Sequence, residues 1–176
     1  ISSMSLAPTN ASTIAHRGTV RMVLLPLVAA VWAMLAAVIL VHSTLPFATL
    51  LPLAVLVAGF EAASALHGGV ERIGRFLQVF YEETNAGQST PRWETIAMLP
   101  APPLGIDPLF SVVFTCLTIV NLGIAGVFQA TPLELLALGA VHAVFLVRVV
   151  RVRARASTQR TRDLAHYRAV RDTTDL

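Results

Sequence analysis

Cysteine and lysine are almost missing from this sequence, which has one cysteine, Cys116, and thirteen arginines but no lysine. A single cysteine excludes an intramolecular disulfide, and the chain has neither a CxxC motif nor a Cys/His zinc cluster. It also lacks a Ser-His-Asp spacing, a phosphate-binding loop, a dinucleotide fingerprint and a nucleophile elbow. We therefore predict a protein without catalytic chemistry of its own.

Charged residues are scarce too. They make up 13% of the chain against 55% hydrophobic residues, which is outside the range of globular proteins. The apolar residues fall in four runs, at 22–41, 45–67, 108–129 and 132–150. A helix of about 20 such residues crosses the hydrocarbon core of a bilayer. We predict an all-α integral membrane protein, with four spans forming an up-down-up-down bundle.

The segments around these spans have their own patterns. Residues 1–21 are small and polar without periodicity, and we expect a flexible N-terminus. Residues 70–83 are amphipathic, and the Gly68-Gly69 pair before them predicts a hinge that lays this helix on the membrane surface. The proline-containing connection 84–106 is either functional or a docking surface. In the basic tail 151–176, we expect the fourth helix to continue out of the membrane.

Prolines and caps predict where the helices begin. Pro46 falls in the first turn of the second span, whereas Pro52 lies further in and predicts a kink. Pro108 follows a capping carboxylate, as at the start of a helix. Thr131 and Glu134 have the spacing of a capping box, which predicts the start of the fourth span.

The arginines predict the orientation. In a four-span arrangement all thirteen fall on one side of the membrane, and the two short turns on the opposite side have none. Positive residues remain on the cytoplasmic side of a membrane. We therefore expect both termini and the long connection to be cytoplasmic, in the inner membrane of a bacterial cell.

Glu61 is the one ionisable residue in the apolar stretch 45–66 of the second span, and an unpaired charge within a span costs a few kcal/mol or more. It shares a helical face with the small residues Ala54, Ala58, Ala62 and Ala65, so we expect it to point into the bundle. It is then either a proton-, cation- or metal-binding carboxylate or a neutral, hydrogen-bonded glutamate, and a third possibility is that it lies near the cytoplasmic headgroups.

Other polar residues lie within the spans. Thr118 can return its hydrogen bond to its own helix, but we expect Asn121 to bond across to another helix. His142 lies near the middle of the fourth span, and Trp32 lies mid-span with an expected packing role. The intramembrane candidates for a functional site are therefore Glu61, Thr118, Asn121 and His142.

Surface candidates come from two basic or aromatic regions. For docking, we select side chains of the amphipathic helix and the connection: Arg72, Arg75, Phe80, Tyr81 and Trp93. For anionic lipid headgroups, we select the first arginines of the tail: Arg148, Arg151, Arg153 and Arg155. The alternatives are that the tail pairs with the acidic segment 71–107, which includes Glu83, or with a partner, or that it is a topology signal that stays in water. We expect no nucleic-acid partner, because no aromatic residues interleave with these charges.

Metal and cofactor binding have little support. His67 and Glu71 share a helical face, but two ligands do not make a metal site, so we predict none. His42, His67 and His142 do not lie at matched depths, so we predict no haem or other cofactor. A haem- or quinone-binding redox subunit using His67 or His142 stays an alternative.

Packing features are abundant and chemistry is scarce. We therefore expect an accessory, scaffold or assembly subunit of a larger membrane complex, or a homo-oligomer. The main alternative is a proton- or ion-coupled transporter or channel subunit that uses Glu61.

Overall fold

The computed structural model describes residues 6–83 and 108–174. Their regular elements are helical: α1 Leu6–His42, α2 Leu50–Leu77, α3 Pro108–Val127 and α4 Pro132–Thr174. A 3-10 turn, Pro46–Thr49, precedes α2, and a π-helical turn, Gln78–Glu82, follows it. Within the described residues, the all-α prediction is confirmed.

Four helices are long and apolar enough to cross a membrane, at Val23–His42, Pro46–Glu82, Phe110–Val127 and Pro132–Thr173. This confirms a multi-pass membrane protein. The second segment has 37 residues and the fourth has 42. At about 1.5 Å per residue they are roughly 55 and 63 Å long, well beyond a hydrocarbon core of about 30 Å. Both helices must therefore continue outside the membrane.

The first helix begins earlier than the sequence pattern predicted. α1 starts at Leu6, so residues 6–21, which we expected to be irregular and flexible, are helical. Pro8 falls in the first turn, where the missing N–H has no partner to lose. Residues 1–5 lie outside the described residues.

The expected hinge at Gly68-Gly69 is wrong. α2 passes through both glycines and ends at Leu77, so residues 70–83 are not a separate surface helix. Each glycine costs a helix only about 1 kcal/mol, and the neighbouring α4 packs against this part of α2. The connection 84–106 lies outside the described part of the chain.

Helix starts follow the local signals, with one exception. Pro108 and Pro132 are the first residues of α3 and α4. The capping box is confirmed: Thr131 N–H donates to Glu134 Oε2 (2.7 Å), and Glu134 N–H donates to Thr131 Oγ1 (3.3 Å). Pro52 was expected to kink the helix. The chain enters α2 through a 3-10 turn, so Pro52 lies in the first turn of α2 and not further in, and a proline there breaks no hydrogen bond of the helix.

The apolar core joins α2, α3 and α4 through phenylalanine rings. Phe60 is almost completely buried, and its ring centroid lies 5.5 Å from that of Phe114 and 5.7 Å from that of Phe145. On the other side, Gly59 meets Val28 of α1, where a Cβ at residue 59 would lie 2.6 Å from both Val28 methyl groups. Gly59 therefore sets how closely α1 and α2 approach.

Candidate functional site

A cluster of neutral polar groups is buried between the helices, around Asn121. The Asn121 Oδ1 atom accepts a hydrogen bond from Trp32 Nε1 at 3.2 Å. Its Nδ2 atom donates to the Thr49 carbonyl at 2.9 Å and lies 3.0 Å from His142 Nε2. Asn121 thus makes the interhelical bonds that we expected of it. It connects α1, the turn before α2, and α4.

His142 completes this cluster. Its Nδ1 atom lies 2.7 Å from the carbonyl oxygen of Leu138, one turn earlier in α4. A carbonyl can only accept, so Nδ1 carries the proton and Nε2 accepts from the Asn121 amide. Both ring nitrogens are therefore used within the chain, and the imidazole is only 1% exposed.

Two buried threonine hydroxyls bond to the backbone of their own segment. Thr118 Oγ1 donates to the Phe114 carbonyl at 2.7 Å, and Thr49 Oγ1 donates to the Pro46 carbonyl at 2.7 Å. Satisfying buried polar groups in this way avoids their desolvation cost. The cluster of Trp32, Thr49, Asn121 and His142, which we call the central cluster, is chemically closed and binds helices together.

Glu61 does not point into the bundle, so that prediction is wrong. Its carboxylate accepts two hydrogen bonds from the guanidinium of Arg148, at 2.8 and 2.9 Å. The two side chains are 43% and 46% exposed. The phenylalanine core occupies the opposite side of α2, which turns Glu61 outward beside α4. Arg148, which we had expected to bind lipid headgroups, therefore neutralises the charge of Glu61.

The small residues around Glu61 face outward as well. Those that we expected to contact other helices are all exposed: Ala54, Ala58, Ala62 and Ala65. We call this surface, with Glu61, the alanine face of α2. The larger side chains Leu53, Leu56 and Phe60 occupy the inner face because they bury more apolar area.

Beyond the apolar stretches, α2 and α4 pair through charges. We call this region, residues 67–83 with 156–172, the paired extension. Arg75 is 4% exposed, whereas we expected it to be a surface residue. It donates to Glu71 on its own helix and to Asp163 Oδ2 of α4 at 2.6 Å. Burial between two carboxylates makes it the central ionic contact of the extension.

A second ionic contact lies at the far end of the extension. Glu83 accepts hydrogen bonds from Arg168 at 2.7 Å and from Arg171 at 3.0 Å. These hydrogen bonds, that from Arg168 above all, lower the pKa of Glu83 below its ordinary value of 4.5, although partial burial opposes the shift. Paired residues are 87 apart at Glu61–Arg148 and 88 apart at both Arg75–Asp163 and Glu83–Arg171. A constant difference means that α2 and α4 run parallel.

Aromatic rings add an apolar part to the extension. Phe76 lies against Phe80, with ring centroids 4.7 Å apart, and meets Tyr167 of α4 edge-on at 5.9 Å. Of the other docking candidates, Arg72 and Tyr81 are exposed, and Trp93 lies outside the described residues. The structure therefore does not bring the docking candidates together on one surface.

The metal and headgroup candidates lie apart from the central cluster. His67 Nε2 and Glu71 Oε1 are 3.1 Å apart, and the described residues hold no group of three or more potential metal ligands among His, Cys, Asp and Glu. Arg151, Arg153 and Arg155 lie on α4 just after its apolar stretch.

Several important residues were not predicted. Thr49 contributes a backbone carbonyl, which carries no signal in its side chain. Asp163 could have been found, because it is the one acidic residue in the basic stretch 148–171. Glu83 belongs to the acidic segment that was kept as an alternative partner of the tail, and its bonds from Arg168 and Arg171 agree with that alternative. Gly59 stands alone in an apolar run, a signal that we did not use.

Searches of protein-family models, of curated proteins and of solved structures find no match to this chain.

Proposed function

We propose that this chain is an accessory, scaffold or assembly subunit of a membrane complex, or of a homo-oligomer, without catalysis of its own. The observation that carries the proposal is the alanine face of α2. It combines small side chains, which let another helix approach closely, with a charged pair that is nearly half exposed.

The depth of the pair strengthens this proposal. Glu61 lies 15 residues after Pro46, or about 22 Å along the helix, which is within a hydrocarbon core of about 30 Å. Exposure of a charged pair to lipid is costly, and contact with another protein removes that cost. Lateral association through the alanine face therefore satisfies both the small residues and the charges.

Association is tested with the full chain, extracted directly from membranes into lipid nanodiscs and weighed by native mass spectrometry. We expect a complex or homo-oligomer, and we expect Ala58→Leu to reduce its fraction at least several-fold because the larger side chain holds the partner helix away. Ala143→Leu is the matched control, since Ala143 is exposed on a different helix. A lone monomer in nanodiscs and in mild detergent would refute the proposal.

The alternative functions receive less support from the contacts. A transport carboxylate must bind and release its proton or cation, but Arg148 occupies both oxygens of Glu61. A haem ligand needs a free imidazole nitrogen, but both nitrogens of His142 are hydrogen bonded within the chain. These contacts favour structural roles for both residues.

We also propose the up-down-up-down arrangement, with both termini cytoplasmic in a bacterial inner membrane. The parallel course of α2 and α4 and the placement of the arginines support it. Reporter fusions at Ser43 and Ala130 should both report the side opposite to the C-terminus, and the same side would contradict the arrangement.

A further inference from the structure

The arginines of α4 divide into two groups. Arg148, Arg168 and Arg171 contact carboxylates, at both ends of the basic stretch. Between them lies a band of arginines whose guanidinium groups make no ion pair or hydrogen bond among the side chains that the structure describes: Arg151, Arg153, Arg155, Arg160 and Arg162. These guanidinium groups are therefore available to bind an anionic partner that is not part of the described chain.

Arg151 and Arg155 stand out by their position. They are one helical turn apart, both are exposed, and they lie on the side of α4 opposite to the buried Val149. The apolar residues of α4 run from Leu133 to Val150, about 27 Å at 1.5 Å per residue, which matches the hydrocarbon thickness of about 30 Å. The pair therefore begins where the hydrocarbon ends.

The headgroup layer has the right depth for this pair. It occupies about 5–8 Å on each side of the hydrocarbon, and four residues of helix rise about 6 Å. Guanidinium groups present a planar fork of donors that bonds phosphate oxygens in pairs. Arg148, one turn before Arg151, is unavailable for this role because Glu61 holds it.

We propose that Arg151 and Arg155 form a binding site for the phosphate headgroup of an anionic phospholipid. Juxtamembrane arginines attract anionic lipid by about 1 kcal/mol each, so two of them account for an affinity difference of about 25-fold. The site is independent of the alanine face, because it lies outside the apolar stretch and requires no partner protein.

The test uses the full chain, delipidated in a nonionic detergent and titrated with dioctanoyl phosphatidylglycerol while binding is followed by microscale thermophoresis. Dioctanoyl phosphatidylcholine and inorganic phosphate are titrated in parallel. We expect saturable binding of the anionic lipid alone, weakened about 25-fold in the Arg151→Gln/Arg155→Gln double variant.

Arg162→Gln is the matched control. Arg162 is exposed and unpaired among the described residues, but it lies 11 residues, or about 16 Å, beyond Arg151. Its substitution should change the affinity less than twofold. Unchanged binding in the double variant overturns the proposal. A loss of about fivefold or more in Arg162→Gln also overturns it, because a diffuse charge effect would give every arginine an equal share of the 25-fold difference. Equal binding of inorganic phosphate also overturns it, since the ligand would then be a free anion. Circular dichroism checks that each variant stays helical.

Discussion

The central cluster and the paired extension both bind helices together through polar groups, but with different chemistry. In the central cluster, three hydrogen bonds between neutral groups connect Asn121 to Trp32, Thr49 and His142, which lie in three other elements. In the extension the contacts between α2 and α4 are ion pairs, such as Arg75–Asp163 and Glu83–Arg168. Ion pairing between α2 and α4 begins with Glu61–Arg148, near the end of the two apolar stretches, and continues beyond them.

The difference follows from the surrounding medium. In hydrocarbon, a charge is costly. A neutral hydrogen bond is favoured there mainly because a buried donor or acceptor without a partner costs more free energy than the hydrogen bond itself contributes. Outside the membrane, α2 and α4 are surrounded by water instead of lipid. Ion pairs between their charged side chains hold the two helices together there without exposing apolar surface. The two regions should therefore respond differently to substitution, pH and salt.

The largest effect is expected from Arg75→Gln. It leaves Glu71 and Asp163 facing each other without their buried cation, and loss of one partner from a buried pair costs about 3 kcal/mol or more. Hydrogen exchange over 67–83 should accelerate about 100-fold, with little change at the central cluster. Arg72→Gln removes the same charge from an exposed position and serves as control. Equal exchange in the two variants would contradict a central role for Arg75.

A smaller but more widespread effect is expected from Asn121→Leu. It removes the partners of Trp32 and His142, and each orphaned group costs about 1–3 kcal/mol when buried. Reversible unfolding in mixed micelles should show the bundle destabilised by about 2–3 kcal/mol, independently of salt. Thr118→Val is the control, because Thr118 bonds only to its own helix. If both variants were equally stable, the cluster would not hold the helices together.

The smallest effect concerns pH. Because the pKa of Glu83 is lowered in the folded protein, its contribution is complete above the ordinary value of 4.5 and is lost as the pH falls through the lowered value. Glu83 is partly exposed, so we expect less than about 1 kcal/mol.

The measurement compares the wild type with Glu83→Gln. At pH 6, hydrogen exchange near residue 83 should be up to fivefold faster in the variant, and the difference should vanish at strongly acidic pH. Other carboxylates of the extension titrate in both proteins, so only the difference reports on Glu83. A difference that does not change with pH would contradict the pairing with Arg168 and Arg171.

Much of the helical architecture follows from local signals in the sequence. Apolar runs of sufficient length predict the four membrane-crossing helices, and the capping box at Thr131 predicts the start of α4. The uninterrupted tail predicts that α4 continues beyond the membrane. These features depend on neighbouring residues alone, so a one-dimensional pattern contains the information.

Faces and partners could not be predicted in the same way. Small residues around Glu61 indicated a packed face, but the phenylalanines Phe60, Phe114 and Phe145 bury more area and turn that face outward. The two glycines indicated a hinge, but α2 continues through them as one helix, and α4 pairs with the part of α2 that follows. Such competition between faces is resolved only when all helices are packed together.

The sequence by itself determined that the protein spans a membrane with helices and that its arginines gather beside the apolar runs, because lipid insertion depends on composition and length. Only the tertiary structure decided that Glu61 pairs with Arg148, that Asn121 joins residues of three other elements, and that Arg75 is buried. Most of those contacts connect residues 72 to 89 positions apart, and the contact of Asn121 with His142 spans 21 positions. No local pattern records which distant side chain will meet another.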